Sequence, residues 1–380
     1  MNSFFVSLGG GNEIGGSCYY LHCNGVNFIL DAGIRYVNKK RYPSFSELSK
    51  LPFIDGVNEV DAIFLSHAHY DHNGALPLLV SKLIEKKEIL CTEYTKKFTE
   101  IQLNILKKHS GIPQYSIYED IAVDRTLDML EIYPINRKIK KKNYSFTFYE
   151  SGHIPGAVMT YLEVEDKHIL YTGDFSDREQ ILTKKYRLPV IDNLDLLVVN
   201  STNAHKKNSV DSWKLGETQI KKVLEYINLY KKVNLKINHV NQGMELAIFI
   251  NEELEKKQCE NIKIYVDEKV YQMLSILKDE DKKEYKNIYL YRGEKGGDGY
   301  AIYISLKDSI ELKNIVSLNL NYSLHSSYEG IKELILSLNP KKTLITHYSE
   351  ENKTDDLVKD LEELGYFNCE YVKNEEIYDF

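Results

Sequence analysis

Cysteine is scarce and poorly spaced for pairing. The 380-residue chain holds five, Cys18, Cys23, Cys91, Cys259 and Cys369, and none form a CxxC pair. An odd count at these spacings argues against a disulfide framework and against a zinc ribbon, and fits a reducing compartment. Long apolar runs are missing as well. No stretch approaches the ~18 consecutive apolar residues of a membrane span. The opening Met1-Asn2-Ser3-Phe4-Phe5-Val6 lacks a basic region ahead of an apolar one, so the expectation is no signal peptide, no membrane partner and a cytoplasmic protein. A surplus of positive charge is also absent: 49 Lys/Arg face 56 Asp/Glu, for a net charge of −7. Residues 1–190 balance at 23 of each sign, and residues 191–380 hold 26 bases against 33 acids. A general electrostatic attraction for nucleic acid is thereby excluded, and a polyanion would have to be held by local patches or by bound metal cations.

What is present suits a folded chain of two domains, or of one domain carrying an insertion: 43% of residues are hydrophobic and 28% charged. The 29 tyrosines beside one tryptophan read as compositional bias rather than function. Short strands are expected at Phe4–Val6 and Val26–Leu30 around a glycine turn, and at Asp61–Leu65, Tyr144–Tyr149, Ala157–Val164, His168–Tyr171 and Leu194–Val199. Leu76, Leu79, Val80 and Leu83 space a helix over Asn73–Ile84, and residues 95–108 form another. All eight prolines lie outside 190–339. Inside that stretch helices (Glu217–Lys232, Gly243–Lys257) alternate with strands (Leu235–His239, Ile262–Val266), and the glycine-rich Arg292–Tyr300 is a loop rather than a phosphate cradle. From Ile315 a strand, a helix (Ser327–Leu338) and the strand Thr343–Thr346 return to the earlier style. The class is α/β, with roughly 205–315 inserted between 1–204 and 316–380.

The strongest feature is His67-Ala68-His69-Tyr70-Asp71-His72. It falls where a buried strand ends and a helix begins, so its side chains can converge. His67 and His69 share a face by the period of two, while Asp71 and His72 can address a neighbouring point. That suits two adjacent metal ions better than one. Asp31, His153, Asp174 and His347 each sit at or just beyond the carboxyl end of an apolar run, where ligands gather in open α/β sheets. Each taken singly reads as a cap or surface residue; taken with the cluster they read as ligands.

The order Asp31, His67-x-His69-x-Asp71-His72, His153, Asp174 resembles the metallo-β-lactamase fold. Gly9-Gly10-Gly11-Asn12-Glu13-Ile14-Gly15-Gly16-Ser17-Cys18 and Cys91-Thr92-Glu93-Tyr94-Thr95 resemble signatures of its β-CASP branch of nucleic-acid nucleases. Gln242-Gly243-Met244-Glu245-Leu246, Ile264-Tyr265-Val266-Asp267, Ser323-Leu324-His325 and Thr346-His347 resemble the later motifs of that branch. The resemblance implies an αββα sandwich with an inserted, smaller α/β cap domain, and a relationship to cleavage-and-polyadenylation-type RNA-processing endonucleases. It implies two zinc ions: one on His67, His69 and His153, the other on Asp71, His72 and His347, with Asp174 bridging. Asp31 would orient ligands, and His325 would act as the catalytic acid beside Asp71 and Asp31. A histidine at 347 goes with RNA-processing members. Three departures stand out: Asn200 where the branch has an acid, Ser327 where it has Asp, and Tyr348-Ser349 where it has Gly-Glu.

The chemistry so implied is hydrolysis of single-stranded RNA by a hydroxide activated between two cations, with the histidine protonating the departing oxygen. Five imidazoles and two carboxylates favour zinc, with manganese as the alternative. Unpaired bases would stack on aromatic rings in a cleft between the domains. Without a carboxylate at 200 to favour protonated His325, the acid step is expected to be slower than in relatives, or to need lower pH. The basic runs Arg137–Lys142 and Lys184–Arg187 read as solvated loops before they read as phosphate contacts. The competing readings are a DNA nuclease, a small phosphodiester or thioester hydrolase on the same fold, and last a non-catalytic scaffold.

Overall fold

The computed structural model describes residues 3–35, 42–108, 119–207, 222–223, 225–258, 261–281, 284–293, 299–306, 315–319, 323–353 and 356–380. The chain forms two compact units, Met1–Lys207 with His325–Phe380, and Asn208–Leu324. No helix among the described residues is long and apolar enough to cross a membrane.

The first unit is built on two seven-stranded sheets. One runs Ile377–Asp379, Phe4–Gly9, Cys18–Cys23, Val26–Leu30, Ala62–Phe64, Ile89–Cys91, Leu130–Ile132, and is antiparallel up to Val26–Leu30 and parallel beyond it. The other runs Cys369–Tyr371, Lys342–Thr346, Leu196–Asn200, Lys167–Tyr171, Val158–Val164, Ser145–Glu150, Ile139–Lys140, and is parallel up to Lys167–Tyr171.

Alternation along the strands explains the layering. Phe5, Tyr19, Leu21, Phe28 and Leu30 of the first sheet join Phe146, Phe148, Leu162, Tyr171 and Val198 of the second in one buried core. The intervening Val6, Leu8, Tyr20 and Ile29 face outward onto Leu76, Leu79 and Val80 of the helix Leu76–Ser81. Leu170, Leu197, Val199 and Ile345 face outward on the other side, onto Ile331, Leu334 and Ile335 of the helix Tyr328–Leu338. Both faces of each sheet are thus covered, giving helix, sheet, sheet, helix.

The second unit holds a five-stranded sheet of parallel pairs, in the order Ile288–Leu290, Ile262–Val266, Tyr300–Leu306, Lys232–Ile237, Val316–Asn319. Gly243, in the first turn of the helix Val240–Lys256, lets that helix lie close. A Cβ there would meet Ile237 Cδ1 at 2.5 Å and Val270 Cγ2 at 2.8 Å. Asp267 accepts from the Val270 and Leu306 amides, both at 3.0 Å, and so starts the helix Glu268–Asp281 while tying it to a neighbouring strand.

Several elements differ from the sequence reading. The single helix expected over Asn73–Ile84 is two, Tyr70–Asn73 and Leu76–Ser81, because Pro77 belongs in a first helical turn and would clash inside a continuous one. Cys18–Cys23 is a third strand in the N-terminal region, where two were expected. Lys232 opens a strand rather than closing a helix. Within the expected helix Glu217–Lys232, residues 217–221 and 224 lie outside the described residues, as do 294–298 of the glycine-rich loop.

Candidate metal centre

The parallel halves of both sheets deliver their carboxyl ends to one place. Asp31 follows Val26–Leu30, the histidine cluster follows Ala62–Phe64, Asp174 follows Lys167–Tyr171, and His347 follows Lys342–Thr346. Asp31 and His347 are non-glycine residues in the left-handed region, with φ of 60° and 56°. These turns bend each side chain off its strand and into the site.

Two groups of ligand-type atoms result. His67, His69, His153 and Asp174 form one; Asp71, His72 and His347 form the other, with the donor atoms in each lying within 4.8 Å of one another. His67 and His69 meet from a loop rather than from a strand face: the strand stops at Phe64, and His69 already caps the next helix. His69 Nδ1 lies 3.1 Å from His67 Nε2 and 3.2 Å from His153 Nε2. His347 Nε2 lies 3.8 Å from Asp71 Oδ2.

Asp174 lies between the groups. Its Oδ1 accepts from the Asn200 amide at 3.2 Å, while its Oδ2 is buried with no hydrogen-bond partner. Around that oxygen stand His67 Nε2 and His153 Nε2 at 3.6 Å, and His72 Nε2 and His325 Nδ1 at 3.5 Å. An orphaned buried carboxylate oxygen is costly. Ringed by imidazole nitrogens at these separations, it would be satisfied by a divalent cation, and the donor set is one that zinc takes. The residues present therefore fit the implied metal pair.

Behind these two groups stands a buried carboxylate. Asp31 Oδ2 accepts from His72 Nδ1 at 2.7 Å, from Ser66 Oγ at 2.6 Å and from Tyr171 Oη at 2.5 Å, while Oδ1 takes the Ser66 amide at 2.7 Å. This fixes the His72 ring with Nε2 turned into the site. Electrostatics divide the imidazoles. Burial drives His67 well below the ordinary histidine range and lowers His347 too. Burial also opposes a charge on His72, but Asp174 and Asp31 outweigh it and hold that ring well above its ordinary value. Burial alone would raise the Asp174 carboxyl; His72, His325 and His347 hold it well below the usual range instead.

His325 belongs to the first unit and lies at the rim, with 22% of its side chain exposed. Its ring lies tilted against His153 with centroids 4.7 Å apart, and Thr202 Oγ1 lies 3.4 Å from its Nδ1. The segment that follows is pinned: the Ser326 amide donates to the Phe175 carbonyl at 2.7 Å, and Asp177 accepts from the Ser327 amide and hydroxyl at 3.0 and 2.6 Å. Ser327, at the position where the branch has Asp, is thus the N-cap of Tyr328–Leu338. The Asn200 side chain donates to Asp174 Oδ1 at 3.2 Å and accepts from Thr346 Oγ1 at 2.8 Å.

Four positions without a role in the sequence reading support this geometry: Ser17, Ser66, Tyr171 and Asp177. Ser17 lies within the motif at 9–18 and Ser66 adjoins the histidine cluster, and that placement was the available signal. The motif at 91–95 also finds a use, as Thr92 and Thr95 donate to the Gly156 carbonyl at 2.6 and 3.0 Å and hold the loop that carries His153. Three cations of the basic runs form ion pairs, Lys138 with Glu163, Lys141 with Glu88 and Lys184 with Glu179.

Residues 11–198 match the metallo-beta-lactamase superfamily. Among curated proteins, the chain is similar to a cleavage and polyadenylation specificity factor subunit 3-I from Arabidopsis thaliana, 27% identical over 199 residues (52% of this chain, 28% of that protein). It is 32% identical over 178 residues to the endoribonuclease ysh1 of Schizosaccharomyces pombe, covering 46% of this chain and 23% of that protein. It is 28% identical over 269 residues to the endoribonuclease ysh1 of Emericella nidulans, covering 69% of this chain and 30% of that protein. The matched part of this chain thus spans under a third of the length of these relatives. A solved protein of unknown function from Enterococcus faecalis V583 covers 100% of both chains at a TM-score of 0.64 and 12% identity, a likeness of fold alone.

Proposed function

We propose that this chain, which carries a metallo-β-lactamase domain, is a β-CASP-type ribonuclease that hydrolyses phosphodiester bonds of single-stranded RNA with a pair of zinc ions. The observation that carries the reading is the unpartnered, buried Asp174 Oδ2 among four imidazoles. The names of the curated relatives support RNA as substrate class, and His347 stands where RNA-processing members have histidine. The second unit is the inserted cap of that branch.

His67, His69 and His153 would hold one zinc, Asp71, His72 and His347 the other, and Asp174 would bridge. When bound, the pair supplies an activated water and positive charge for the phosphate oxygens. The chain does the rest. Asp31 keeps His72 oriented. Asp174 gathers the two ligand groups around one oxygen. His325, partly exposed at the rim, holds a proton for the departing sugar oxygen, and Asp174 and Thr202 at its Nδ1 leave the opposite nitrogen to face outward. The pinned segment Ser326-Ser327 keeps that ring in place.

The test incubates zinc-loaded protein with end-labelled single-stranded RNA and DNA of one sequence, with and without chelator, beside His69→Ala. RNA cleavage that chelator and His69→Ala both abolish is the expected result. Preferential cleavage of DNA would overturn the substrate, and cleavage of neither would overturn the activity.

A further inference from the structure

We propose that Ser17 is the positioning residue of the Asp71–His72–His347 group, setting the imidazole tautomer that this group needs to hold a cation; the inference rests on the reading that both groups bind metal. Ser17 is fully buried and touches all three members. Its amide donates to the Asp71 carbonyl at 2.9 Å, and its hydroxyl oxygen lies 2.7 Å from His347 Nδ1 and 3.4 Å from His72 Nε2. Its own carbonyl accepts from the Gly33 amide at 2.9 Å, so the hydroxyl projects from a backbone held on both sides.

A neutral imidazole offers a cation one nitrogen and carries its hydrogen on the other, and the partner of that hydrogen decides which is which. For His72 the partner is Asp31 at Nδ1. For His67 it is Ser66: that hydroxyl gives its proton to Asp31 Oδ2 at 2.6 Å, so its oxygen accepts from His67 Nδ1 at 3.0 Å. For His347 the group at Nδ1 is Ser17. With Nδ1 donating to Ser17 Oγ, His347 Nε2 keeps its lone pair and faces Asp71. The main chain at His347 is already fixed, its amide donating to the Gly10 carbonyl at 2.7 Å. What remains for Ser17 to set is the tautomer and rotation of the ring. Without the hydroxyl, the hydrogen can move to Nε2 and point at Asp71, and the group loses a ligand. Ser17 bonds to the Asp71–His72–His347 group, so its removal is expected to act on one site of the pair.

The full chain, Ser17→Ala and Ser17→Thr are stripped of metal and titrated with zinc against a chromophoric chelator. Cobalt absorption spectra and thermal unfolding are recorded for each. The expected result is two sites in the parent protein, one unchanged site and a second weakened ~10–100-fold in Ser17→Ala, and near-parental behaviour in Ser17→Thr, which keeps the hydroxyl. Two parental sites in Ser17→Ala would overturn the proposal. So would loss of both sites with a lowered melting temperature in Ser17→Ala, which would assign Ser17 to packing alone. A parent chain that binds no metal would overturn the metal reading and this one together, whereas a chain that binds two zincs but leaves RNA intact would overturn only the substrate.

Discussion

At the scale of single residues, the site is a matter of which group holds which ring. Asp31 satisfies His72, Ser66 and Tyr171 through its two oxygens, so Asp31→Asn presents an amide where donors converge. Zinc affinity should fall ~10–100-fold and metal-free stability by about 1–3 kcal/mol; chelator competition and denaturant unfolding measure the two, and unchanged affinity would remove Asp31 from the support of the site. Protons follow the same logic. Asp174 and Asp31 hold His72 above its ordinary value, so the metal-free protein keeps a proton there at neutral pH, while burial keeps His67 and His347 neutral. The ligand form of His72 is the neutral one. Zinc binding should therefore release about one proton at neutral pH, and affinity should rise with pH until that proton is gone. Calorimetry in buffers of different ionisation enthalpy reads the release, and no buffer dependence would contradict it. The ligand candidates were legible in the sequence because histidines and aspartates beyond apolar runs are poor packing material. Ser17, Ser66 and Tyr171 were not, because a serine or tyrosine at a strand end reads as ordinary until the ring it holds is seen.

At the scale of elements, loops do the positioning and glycine permits their closeness. A Cβ on Gly33 would sit 1.7 Å from the Asp71 carbonyl oxygen, so Gly33→Ala must push the Asp71 turn away. We expect a loss of about 3 kcal/mol and a weakened second site; an unchanged denaturation midpoint would show that the turn can yield freely. The His325 segment hangs on Asp177, which takes both the amide and hydroxyl of Ser327. Asp177→Ala should lower the turnover of RNA while both metals stay bound, and unchanged turnover would mean the remaining contacts suffice. Strand positions such as Val26–Leu30 and Ile262–Val266 match their sequence patterns because strands buried on both faces are short apolar runs. The helix expected over Asn73–Ile84 misled because its apolar spacing is continuous while Pro77 breaks the backbone pattern beneath it. Ile139–Lys140 was hidden in a basic run because an edge strand tolerates, and benefits from, charge.

At the scale of the whole molecule, the two sheets supply rigidity and their parallel halves aim every candidate ligand but His153, which follows the antiparallel Ser145–Glu150, at one end. The α/β class followed from the mixture of strand and helix patterns, but the layering depended on which face of each strand is inward, which only the pairing reveals. The strand Val316–Asn319 shows this: it follows the inserted stretch in sequence, yet it pairs with Lys232–Ile237 in the second unit's sheet. The central claim, that seven side chains from four segments of one sandwich hold two cations, is tested most directly by anomalous diffraction at the zinc edge from crystals of the metal-loaded chain. Two peaks about 3.5–4 Å apart, flanking Asp174 Oδ2, are the predicted result; a site empty of anomalous density, or a single peak displaced from that oxygen, would contradict it.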